Sequence, residues 1–126
     1  MSFSNYLETK VLDHVFGGVA YTAPTTLYVA LYTAAPGEAG GGTECSGTNY
    51  SRQTVTFTTT GDTTTNDSAI EYSAAGNSWG TLTYAGIFDA SSGGNLLTYA
   101  ALTVSKTIDT GDVLRIPAGE IDISIN

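Results

Sequence analysis

At 126 residues the chain has enough material for one buried core and too little for a second, so residues 1–126 are expected to form a single domain. Twelve acids against Lys10, Arg52, Lys106 and Arg115 leave a formal net charge of -8, and bases this sparse exclude a groove for DNA, for RNA or for an anionic membrane surface. A lone cysteine excludes an internal disulfide, no basic and apolar leader opens the chain, and no run approaches the roughly 20 apolar residues of a membrane span.

Asn5 to Phe16 reads as the one convincing helix, within an N-terminal helical unit over residues 1–18. Asn5 is placed to cap free amides and Glu8 to complete a capping box. Leu7, Val11 and Val15 recur at four-residue spacing, Leu12 and Phe16 widen the stripe, and Gly17-Gly18 end it. So short a helix needs a surface to dock on, either its own core or a neighbouring subunit.

From Leu27 the period changes to two, and residues 27–126 read as a β-sandwich. In Leu27 to Tyr32 the aliphatic side chains point one way and Tyr28 and Tyr32 the other, so the second face also requires cover, from this chain or from another. Pro36 to Asn49 is a long glycine-rich loop that could order on binding a partner. Strands are expected at about Arg52 to Thr58 and Ser68 to Tyr72, with a polar Thr/Asp/Asn connection between them. Two more, Thr81 to Phe88 and Leu96 to Val104, flank the turn-forming segment Asp89 to Asn95. Short pieces at Lys106 to Ile108 and Val113 to Ile116 follow. A last strand comes next, with Ile121, Ile123 and Ile125 facing the core. About eight short strands separated by turns predict a mainly β fold, an antiparallel β-sandwich of the jelly-roll type with one N-terminal α-helix.

Chemistry finds little foothold. His14 is the sole histidine and has no nucleophile or metal-binding partner in the pattern. Cys45 sits beside Glu44, which opposes thiolate formation. Paired carboxylates of a glycosidase need a sugar cleft for which little chain is left over. Asp62, Asn66 and Asp67 lack the ligand spacing of a calcium loop. The expectation is therefore no catalytic residue, no metal and no cofactor. Leu7, Val11, Val15, Phe16, Tyr28 and Tyr32 are the candidate assembly contacts. Trp79, Asn77 and Asn95 would serve a glycan-binding surface if they were exposed.

Ser4-Asn5-Tyr6-Leu7-Glu8-Thr9-Lys10-Val11-Leu12-Asp13-His14-Val15-Phe16-Gly17-Gly18 and Leu27-Tyr28-Val29-Ala30-Leu31-Tyr32-Thr33 together resemble the opening of small virion proteins of tailed bacteriophages, labelled tail-fibre or virion-associated proteins. Ser78-Trp79-Gly80-Thr81, Gly86-Ile87-Phe88-Asp89-Ala90, Gly93-Gly94-Asn95-Leu96-Leu97 and Ser105-Lys106-Thr107 extend the resemblance over most of the chain. It implies a non-enzymatic virion component, assembled in the host bacterial cytoplasm. By analogy it also implies a homotrimer. With no fibrous repeat in the chain, the leading expectation is a capsid decoration (cement) protein that bridges copies of the major capsid protein. The alternative is a tail-fibre or receptor-binding component that recognises a host surface glycan.

Overall fold

In the computed structural model, which describes residues 1–125, Ser4 rather than Asn5 caps the helix: its Oγ accepts from the Leu7 amide at 3.2 Å. The helix, α1, spans Asn5–Val15. Its last turn closes when the Gly17 amide returns to Asp13 O and the Val19 amide to the same carbonyl, both at 3.0 Å. Gly18 takes the left-handed φ of 70° which that return requires.

Eleven strands are found among the described residues, more than the eight expected, because several are only two or three residues long. They are β1 (Ser2–Phe3), β2 (Leu27–Ala34), β3 (Thr43–Glu44), β4 (Gln53–Val55), β5 (Phe57–Thr60), β6 (Thr63–Asn66), β7 (Ile70–Glu71), β8 (Gly80–Phe88), β9 (Leu96–Ile108), β10 (Arg115–Ile116) and β11 (Asp122–Ser124). The main sheet has the order β1-β9-β8-β2-β3, with β4 also paired to β2; β10 pairs with β7, and β11-β6-β5 form a third sheet. Every pairing is antiparallel. The architecture is thus mainly β with one N-terminal helix, and none of the sheets closes. The jelly-roll arrangement of the strands is not shown.

Three local expectations are corrected. Leu96 to Val104 and Lys106 to Ile108 form one strand, β9, which bulges where Leu82 faces Lys106 while Tyr84 faces Ala101. The polar connection after Thr58 is instead a hairpin, in which β5 and β6 pair from Phe57↔Asn66 to Thr60↔Thr63 around a two-residue turn at Gly61-Asp62. Of the three C-terminal isoleucines only Ile121 is buried, at 8% exposure; Ile123 is half-buried and Ile125 is 60% exposed.

Alternation along β2 assigns its two faces. Val29 and Leu31 join Ala85, Ile87, Leu82, Ile70, Tyr72, Trp79 and Ile121 in the larger core. Ala30 and Tyr32 join Phe88 and Leu96 in a smaller one. Within the larger core Tyr72 stacks on Tyr50 with centroids 6.0 Å apart, and Trp79 meets both rings edge-on at 6.4 and 5.6 Å. The polar ends of these rings are satisfied: Tyr72 Oη donates to Val29 O at 2.7 Å and Trp79 Nε1 to Thr48 O at 3.0 Å. Gly47 makes room for the indole, since a Cβ there would lie 2.0 Å from Trp79 Cδ1.

Loop residues 36–49, of which 38–43 remain exposed, are partly built into the chain. They carry β3, and Cys45, buried beside it, donates its amide to Leu31 O at 2.8 Å. Asn66, buried in β6, holds the C-terminal segment: its Nδ2 donates to Pro117 O at 3.0 Å and its Oδ1 accepts from the Ile121 amide at 2.8 Å. This amide lies in the segment weighed as a calcium loop, and all its hydrogen-bonding capacity toward the C-terminus is structural.

Candidate assembly surface

Among the described residues, the hydrogen bonds that tie the helix to the sheet side of the chain lie at its beginning. The Ser4 amide donates to Leu97 O at 2.8 Å, Ser4 Oγ donates to Leu96 O, and the Asn5 amide donates to Glu38 O at 3.0 Å. From there α1 runs along β1 and β9 without burying a single residue. Leu7 and Val11, nearer the tether, are half-buried. Leu12, Val15 and Phe16 are 58%, 61% and 82% exposed, and their three- and four-residue spacing puts them on one face. Val19, exposed as well, follows just beyond the cap. Apolar side chains grouped in this way make a candidate contact surface, whereas scattered ones do not.

The surroundings of that face are polar without being reactive. Lys10 lies over the Tyr6 ring, 5.6 Å from its centroid. His14 is exposed and its Nδ1 accepts from the Tyr21 amide at 3.3 Å, which folds the following chain back on the helix. Burial, with smaller contributions from Tyr6 and Asp89, pushes the Tyr21 hydroxyl above its ordinary range.

The tyrosine face of β2 has a different fate. Tyr28 is half-buried, and Tyr32, at 4% exposure, stacks on Phe88 with centroids 6.4 Å apart. Burial raises its pKa to about 12. Arg52 completes the cover: its guanidinium sits 3.7 Å from the Phe88 centroid and pairs with Glu44 through two hydrogen bonds of 2.8 and 2.9 Å. The same side chain donates to Ala90 O and Gly93 O, both at 2.9 Å, and so pins the loop after β8. Tyr50 Oη donates to Glu44 at 2.7 Å and accepts from the Leu31 amide at 3.0 Å. Burial pushes the Glu44 carboxyl up, but the hydrogen bonds from Arg52 and Tyr50 and the Arg52 charge outweigh it and hold the pKa below its ordinary value.

Of the six candidate contacts, then, the structure leaves Val15 and Phe16 open, keeps Leu7, Val11 and Tyr28 partly open, and spends Tyr32 inside the chain. Leu12 and Val19 join the open set. Leu12 could have been chosen from its four-residue spacing to Phe16; Val19 lies past the helix and carries no periodic signal. Of the glycan candidates Trp79 is buried, whereas Asn77 and Asn95 stay exposed, with Asn77 Oδ1 accepting from the Thr48 amide at 2.9 Å and Asn95 bonded to Asp89. Cys45 is buried, which raises its pKa and disfavours a thiolate.

Comparison with known proteins bears on what such a surface serves. Residues 2–124 match the model of the Gp80 family, described as Podophage GP4 fiber I protein gp80. No curated protein matches the chain.

Proposed function

Because this chain belongs to the podophage fiber I protein gp80 family, a family of non-enzymatic fibre proteins of the virion, we propose that it is a building block of a fibre, joined to neighbouring virion proteins through the open end of α1. The observation that carries this reading is Phe16, 82% exposed beside the open Leu12 and Val15 on a helix that buries none of its residues. An interface centred on an exposed aromatic within an apolar patch is where binding energy concentrates.

Membership of a fibre family favours a fibre component over capsid cement, so other fibre proteins replace the major capsid protein as the expected partner. Recognition of a glycan loses its aromatic platform with the burial of Trp79. The proposed unit is the whole of residues 1–126 folding as one domain, which a single calorimetric transition would support. A photo-cross-linking residue at position 16, activated in intact particles, should join the chain to a neighbouring virion protein. The absence of any cross-link from that position would contradict the proposal. Sedimentation equilibrium of the purified chain reads its copy number, for which the resemblance to virion proteins implies three.

A further inference from the structure

A cleft of about 390 Å³ opens where three segments far apart in sequence meet, a volume within the range of about 300–1,000 Å³ usual for small-molecule sites. The start of α1 around Asn5 forms one wall, residues 38–40 a second and Gly94-Asn95 a third, while Phe88 and Leu96 of the smaller core lie at the base. The walls are fixed by groups that face away from the opening or belong to the backbone. The Asn5 amide donates to Glu38 O at 3.0 Å and joins the first wall to the second; Ser4 Oγ donates to Leu96 O and joins it to the base. Asp89 clasps the third wall, its Oδ1 accepting from the Asn95 amide at 2.7 Å and its Oδ2 from Asn95 Nδ2 at 3.0 Å. Arg52 holds the same turn through Ala90 O and Gly93 O. A cleft held in this way is formed before a ligand arrives, so little ordering opposes binding.

We propose that this cleft binds an uncharged saccharide unit. Asn5 and Glu38 are exposed, and among the described residues the Asn5 side-chain amide makes no hydrogen bond and the Glu38 carboxylate no ion pair. Asn95 gives one Nδ2 proton to Asp89 and keeps its Oδ1. A sugar hydroxyl both donates and accepts, so its site needs donors beside acceptors; the two side-chain amides supply both, and Glu38 adds a charged acceptor. Phe88 and Leu96 offer apolar surface to the C–H groups of a sugar ring. Charge decides between ligand classes. No lysine, arginine or histidine lines the cleft while Glu38 does, so a phosphate, sulfate or carboxylate on the ligand would be repelled. A cation is opposed in turn by the positive end of α1, which lies on the same cleft. Of the three residues read as glycan candidates, Asn95 is the one that the fold brings to this cleft. The inference therefore depends neither on Trp79 nor on attachment through the open end of α1.

Titration of the full chain, followed by nuclear magnetic resonance of its nitrogen-labelled amides, tests the proposal with the methyl glycosides of glucose, galactose, mannose and N-acetylglucosamine. At least one should saturably shift the side-chain amide signals of Asn5 and Asn95 and the backbone signals of residues 38–40. Glucuronate and inorganic phosphate should move none of them. Glu38→Ala should weaken the binding about tenfold or more and Asn5→Ala by a smaller factor, each with the melting temperature of the wild type. The proposal is overturned by the absence of a saturable response to all four glycosides, by shifts centred outside the cleft, by an equal response to glucuronate, or by unchanged affinity in Glu38→Ala.

Discussion

Strand β2 and helix α1 are both two-faced, and the structure treats them in opposite ways. β2 is covered on both sides from within the chain: Val29 and Leu31 by the larger core, Tyr32 by Phe88 and the Arg52 clamp. α1 is held by the backbone and cap of Ser4, and its apolar end is left in the open. The difference is one of available partners. Arg52 reaches Glu44, Phe88 and two loop carbonyls at once, so the second face of β2 is closed without another chain. Among the described residues no element covers Leu12, Val15 and Phe16, and it is there that a neighbour would gain most by binding.

If this contrast is right, damage around β2 lowers folding stability and damage to the end of α1 does not. Tyr72→Ala should be the most harmful, since it empties the centre of the aromatic cluster under β2; a loss of about 3–5 kcal/mol is expected for truncating a fully buried ring, measured by denaturant unfolding. Arg52→Ala should follow at about 3 kcal/mol, because Glu44 is left without its cation and the loop carbonyls of Ala90 and Gly93 lose their donor. Removal of residues 120–126 takes away buried Ile121 and half-buried Ile123 with β11, and should cost about 2–4 kcal/mol.

A pH titration sharpens the account of the clamp. The folded chain keeps Glu44 ionised to lower pH than the unfolded chain does, so its stabilising contribution is complete above the ordinary carboxylate range and fades as pH falls through the depressed pKa. Wild type should accordingly lose more stability than Glu44→Gln between about pH 5 and pH 3. Parallel curves for the two proteins would show that the Arg52 pair is not what closes the second face of β2. At the small end, Ile125→Ser should change stability by no more than about 0.5 kcal/mol, as exposed substitutions do.

Much of this was legible in the residues, and the parts that were not have physical reasons. The extent of the helix, the change to period two at Leu27 and the hairpin around Asp89 to Asn95 follow from periodicity and turn chemistry that act within a few residues, although the cap fell one residue early, on Ser4 in place of Asn5. β5 and β6 escaped because their strands are nearly all threonine: they alternate in no hydrophobic sense, and only β-branching and the Gly61-Asp62 turn signalled them. The burial of Trp79 depended on Gly47, more than thirty residues away, and that of Tyr32 on Arg52. Ile125 carried the same alternation as Ile121 and differs because it continues past β11. The open end of α1 was half legible: its stripe could be read, but which part of that stripe the chain itself covers could not, since the tether at Leu96 and Leu97 is a long-range contact.

The measurement that bears most directly on the account is Phe16→Asp, with the purified chain melted and its incorporation into particles quantified side by side. The account predicts a melting temperature within a degree or so of wild type, because an exposed side chain contributes little to folding, together with loss of the chain from assembled particles. A sharply lowered melting temperature, or normal incorporation of a fully folded variant, would contradict it.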